Sequence, residues 1–143
     1  MNISILGEAS LTPWLNLVAT MQLGIAVLNL ALVRVLGCKA DLGRLPLLMR
    51  EVFQVHMWFI SVTLTLFAVM TWRFAGEMST NAACRWLAAG IGFFWALRTV
   101  LQVVYYSSSH WRGQKGRTAI HIALLAIYGG FALVYATAAF GGG

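Results

Sequence analysis

Apolar residues along this chain gather into four long runs, and the charged residues are confined largely to the short stretches between them. The first run covers about Trp14 to Leu36. The second lies within Leu47 to Phe74, with its most apolar part at Met57 to Trp72. The third covers about Cys84 to Tyr106 and the fourth about Thr118 to Phe140. Each matches the roughly 20 helical residues needed to cross a hydrocarbon core of about 30 Å. A transmembrane β-barrel would instead show strands of about ten residues with alternating polarity. That alternation is absent from the runs. The pattern predicts an all-α integral membrane protein, a single four-transmembrane-helix bundle occupying residues 1–143.

Local signals refine the boundaries. Thr12 followed by Pro13 reads as an N-cap and first-turn proline, which places the start of the first helix there. Gly37 suits its exit, Pro46 fits the first turn of the second helix, and Gly113 to Gly116 interrupt the chain before the fourth. The stretch before the first run has no Lys or Arg and contains Glu8, unlike the basic start of a secretory signal, so the run is expected to be a retained span.

Composition agrees: 60% of the 143 residues are hydrophobic, 10% are charged, and the mean hydropathy is +0.79, well to the apolar side of soluble domains. The net charge of +6 follows from the connections. Arg34, Lys39, Arg44, Arg50, Arg112, Lys115 and Arg117 flank the connections after the first and third helices, while only Arg73 and Arg85 lie on the opposite face. This bias predicts cytoplasmic basic loops with both termini outside, in a bacterial-type inner membrane. Basic surface of this kind reads as topology and contact with anionic lipid, with no nucleic-acid partner.

Cys38 and Cys84 fall at opposite ends of their helices, a membrane thickness apart, whereas a disulfide needs Cα atoms within about 7 Å. Neither belongs to a CxxC pair. Both read as small packing residues.

Polar positions inside the spans carry the remaining information. Gln22 and Asn29 share a face of the first helix, and amides in lipid seek partners on a neighbouring helix. Ser61 and Thr65 sit one turn apart, a spacing at which hydroxyls bond back to their own helix. The basic end differs, because nearly all the ionisable side chains of the spans gather there. Glu51, Gln54 and His56 lie on the second helix, Arg98, Gln102 and Tyr105 on the third, and Arg117 and His121 on the fourth, with Tyr128 two turns further on. At 1.5 Å per residue, His56 and Arg98 fall about 10 to 12 Å inside the boundary and His121 somewhat shallower. An ionisable residue at such depth marks a functional site by default, so the eight residues from Glu51 to His121, Tyr128 apart, are expected to form a pocket for an anionic or amphipathic ligand or cofactor.

Competing assignments use the same residues. His56 and His121, on different helices, are candidates for bis-histidine ligation of a b-type haem, with Arg98, Arg112 and Arg117 facing its propionates. Arg98 is also open to snorkelling toward headgroups or to pairing with Glu51. Transport through four helices per chain would require a homo-oligomer, for which Ala88 with Gly92 and Ala132 with Ala136 offer small-residue contacts. A non-catalytic subunit would dock on other membrane subunits through its aromatics and the loop His110 to Arg117. No metalloenzyme signature such as HExxH occurs, and no nucleophile with an orienting partner accompanies His56 or Glu51, so the sequence leaves catalysis open.

Overall fold

A computed structural model describes residues 3–35, 43–105 and 115–141 and, within them, the side chains of all but residues 3–10, 32–35 and 117. Expectations placed on Gly37, Cys38, Lys39, Tyr106, His110, Trp111 and Arg112 therefore lie outside the described residues, as does the side chain of Arg117. Four helices make up the fold: α1 (Ile3–Val35), α2 (Leu47–Phe74), α3 (Ala82–Val104) and α4 (Lys115–Phe140). All four are long and apolar enough to cross a membrane, and no strand occurs among the described residues. The chain is an all-α, multi-pass membrane protein of the four-helix class.

Helix ends depart from the sequence reading in instructive ways. α1 begins at Ile3, so Pro13 lies inside the helix and does not open it. An internal proline removes one ladder hydrogen bond and crowds the preceding turn, but membrane helices tolerate this because neighbouring groups take up the freed carbonyl. α3 starts at Ala82, ahead of Cys84, because the Asn81 side chain accepts hydrogen bonds from the backbone N–H groups of Ala83 (2.9 Å) and Cys84 (3.4 Å). Pro46 precedes α2, and its carbonyl accepts the N–H of Arg50 at 3.1 Å. Lys115 and Gly116 already belong to α4.

The chain forms two compact units, one of residues 16–73 and the other of residues 1–15 with 74–143. In the first, α1 and α2 are joined by side-chain hydrogen bonds near both ends. Asn29 uses both hydrogens of its amide, donating to the Met57 carbonyl (3.0 Å) and to Ser61 Oγ (2.9 Å). Trp72 Nε1 donates to the Asn16 carbonyl at 3.3 Å. The partner expected for Asn29 is thus the Ser61 turn of α2, and the Ser61 hydroxyl serves as its acceptor. Thr65 does bond back to its own helix, at 2.8 Å from the Ser61 carbonyl. α2 buries only Ser61, Leu64, Ala68 and Thr71, a seam one residue wide that recurs every three or four positions. Much of the rest of its surface, including Trp58, Phe59, Val62 and Leu66, is apolar and exposed, as a lipid-facing helix requires.

In the second unit α3 and α4 pack along their length. Cys84, Ala88, Ile91 and Trp95 form the buried stripe of α3, and Tyr128, Phe131, Tyr135 and Ala138 that of α4, each alternating steps of three and four. Trp95 stacks on Tyr128 with ring centroids 5.2 Å apart and meets Phe131 edge-on at 4.8 Å, a favoured aromatic geometry. The two helices approach closely at Gly92. A methyl group there would stand 3.1 Å from Tyr135 Cβ and 3.6 Å from the Ala136 nitrogen. Small residues let membrane helices come this near, and Gly92 does so against the Tyr135–Ala136 step of α4. At the end formed by the first turn of α3 and the last turn of α4, Arg85 Nε donates to the Ala139 carbonyl at 2.8 Å. That bond satisfies one of the carbonyls a helix C-terminus leaves open and sets a cation against its negative pole.

Candidate functional site

The same stripes that are apolar around Trp95 turn polar toward the other end of the α3–α4 pair. Continuing the α3 spacing from Trp95 by three and then four residues reaches Arg98 and Gln102. Running the α4 spacing back from Tyr128 by four and three reaches Leu124 and His121. Arg98 and His121 are half-buried, and Gln102 is 3% exposed. Three hydrogen-bonding side chains thus occupy what would otherwise be core positions.

Their connections fix one another's chemistry. Arg98 Nη1 donates to Gln102 Oε1 at 2.7 Å, a short distance typical of a charge-assisted bond. Because a guanidinium only donates, the amide oxygen must face Arg98 and the NH2 group must face the other way. Gln102 Nε2 lies 3.0 Å from His121 Nδ1, so Nδ1 is the acceptor. This contact is the one made by the Nε2–H tautomer of the neutral imidazole. The guanidinium of Arg98 is steadied on its other side by Tyr128, its central carbon lying 5.0 Å from the ring centroid, within the range of a cation–π contact. Tyr128 links the two regions of the seam, stacking on Trp95 and lying under Arg98.

Arg98 has no carboxylate partner among the described residues. In its own unit the only carboxylate with a described side chain, Glu77, is exposed in the connection before α3, at the opposite end of that helix from Gln102. A charge at this depth without a counter-ion is costly, and an amide dipole with an aromatic face offsets only part of that cost. The arrangement can therefore accept an anion. For His121 to hold a metal through Nε2, its proton would have to move to Nδ1 and the Gln102 amide would have to turn its oxygen toward it. Among the described residues no three His, Cys, Asp or Glu side chains cluster as a metal site would need.

Of the eight residues singled out by the sequence, Arg98, Gln102 and His121 are joined directly. Tyr105 caps α3, its N–H bonding the Leu101 carbonyl at 2.9 Å, and its side chain is 83% exposed. Tyr105 keeps helical backbone geometry, but its side chain forms no hydrogen bond with Arg98, Gln102 or His121 among the described residues. Glu51, Gln54 and His56 lie exposed on the first turns of α2. Sequence reasoning missed the function of Tyr128 as the platform for Arg98, although its spacing from His121 was visible, and it missed the Arg85 clamp, which depends on the register of two antiparallel helices.

Comparison of the chain with family models, with curated proteins and with solved structures finds no match in any of the three.

Proposed function

We propose that the polar end of the α3–α4 seam binds the anionic group of an amphipathic ligand or cofactor, in a protein of a bacterial-type inner membrane that works within an oligomer or larger membrane complex. The observation that carries this reading is Arg98: a half-buried guanidinium inside a membrane span, held by Gln102 and Tyr128 and lacking a carboxylate among the described residues. Guanidinium groups suit carboxylate, phosphate and sulfonate oxygens because their N–H groups form a fork. The ligand's apolar part would remain in the bilayer, which the exposed apolar surface of the helices favours.

The excess of Lys and Arg at these helix ends supports a cytoplasmic position for them. Reporter fusions after Val35 and after Val104 are expected to register as cytoplasmic, and a fusion after Phe74 as external. The reverse assignment would overturn the orientation.

Octanesulfonate is a suitable probe for the site, since it is amphipathic and remains ionised at any working pH. Titration calorimetry on the protein in phosphatidylcholine nanodiscs should detect its binding above partitioning into empty discs, with Arg98→Ala weakening it by about thirtyfold, the worth of a charge-assisted contact of about 2 kcal/mol. Equal binding by wild type and Arg98→Ala, or equal binding of uncharged octanol, would sink the proposal.

A further inference from the structure

The chain Arg98–Gln102–His121 has a direction, and that direction is set by a proton. We infer that anion binding at Arg98 is coupled to protonation of His121 through reversal of the Gln102 amide; this rests on the anion-binding reading of the same site.

The argument needs only the hydrogen-bond inventory. With His121 neutral, Nδ1 accepts from Gln102, the Gln102 oxygen faces Arg98, and one donor of the guanidinium is occupied. Adding a proton to the Nδ1 lone pair gives an imidazolium in which both ring nitrogens are donors. The NH2 group of Gln102 then meets an N–H. Turning the amide over repairs that contact by presenting Oε1 to Nδ1–H, and it sets the NH2 group against the guanidinium, donor against donor. Arg98 loses its acceptor, and an anionic ligand becomes the group that replaces it. The site also gains one positive charge. Both effects act in the same direction, so the anion binds more tightly when His121 is protonated, and by reciprocity anion binding draws a proton onto His121. No species beyond water's proton and the ligand is needed, and the net change is one proton taken up from the aqueous side.

Other titratable groups of this unit near His121 in the chain or across the seam do not replace it. They are Arg98 and the exposed Tyr105 from α3, and the exposed Lys115, then Arg117 and Tyr128 from its own helix. Of these only His121 ordinarily changes charge between pH 5 and 8. Elsewhere among the described side chains, Glu51 and His56 of α2 and Glu77 before α3 titrate near that range, and the third histidine, His110, lies outside the described residues.

Octanesulfonate again serves as probe, because its charge is constant and any pH dependence belongs to the protein. Calorimetry in phosphatidylcholine nanodiscs at about pH 8 and about pH 5, on either side of the usual histidine range, should give binding about tenfold tighter at the lower pH. Repeating the titration in two buffers of different ionisation enthalpy should show proton uptake on binding. His121→Asn keeps an acceptor for Gln102 but cannot titrate, and should leave binding weak at both pH values with no proton uptake. Gln102→Met removes the reversible amide and frees Arg98, so its affinity at about pH 8 should rise toward the wild-type value at about pH 5. Wild-type binding that depends on Arg98 but is the same at both pH values would overturn the coupling while leaving the anion site standing. A pH dependence that survives in His121→Asn would also overturn it and would point to another titratable group. Absence of octanesulfonate binding at both pH values would overturn the site and the coupling together.

Discussion

Replacing Trp95 by Ala is expected to lower the stability of the protein by about 3 kcal/mol, near the lower end of large-to-small aromatic substitutions. Trp95 is 1% exposed and joins three rings, Phe94, Tyr128 and Phe131, at 4.8 to 5.5 Å. In a membrane the gain from removing apolar surface from water is absent between helices, and helix association rests on close packing and hydrogen bonds. What Trp95→Ala removes is dispersion contact and aromatic geometry, leaving a cavity that the paired helices cannot close without shifting Gly92 off Tyr135. The measurement is an equilibrium unfolding curve in mixed micelles, followed by the loss of helix or by trapping of the separated helices. Because Tyr128 stacks on Trp95 and supports Arg98, the same variant should weaken octanesulfonate binding. Unchanged stability would mean that the aromatic cluster does not hold the pair together.

A graded series at Gly92 is the second large expectation. Adding a methyl group has two effects of opposite sign. Alanine improves on glycine within a helix by about 1 kcal/mol, but its Cβ would sit 3.1 Å from Tyr135 Cβ. Gly92→Ala should therefore be close to neutral. Gly92→Leu puts a full side chain into that contact and should destabilise by about 3 kcal/mol through overpacking. Gly129→Ala, where nothing lies within 4 Å of the added carbon, should show only the helix gain. If Gly92→Leu unfolds no more readily than wild type in the same micelles, α3 and α4 do not approach each other at this step.

How far the sequence alone led can be judged from particular residues. Spans are legible because a bilayer demands long apolar runs whatever the helices pack against, and α2 occupies the stretch Leu47–Phe74 that the pattern marks. Helix starts were less legible. Pro13 obeys a rule for soluble helix beginnings that a membrane helix is free to ignore, and Asn81, whose capping side chain starts α3, was not weighed. Arg98 and Gln102 were readable as a pair from their spacing of four. His121 was expected in the same pocket, but its direct bond to Gln102 depends on the register between α3 and α4, which no single sequence states. Amide polarity was out of reach as well, since Gln102 at the sequence level is merely polar, and its orientation comes from having a donor-only group on one side.

Six threonine hydroxyls complete the picture of how this chain suits lipid. Thr20, Thr63, Thr65, Thr71, Thr99 and Thr137 each donate to the carbonyl four residues earlier, at 2.7 to 2.9 Å. A hydropathy scale counts them as polar, yet each arrives at the bilayer with its hydroxyl proton already spoken for by its own helix. The barrier to inserting these segments during synthesis is therefore lower than their composition implies, and it is lowered before any helix has met another.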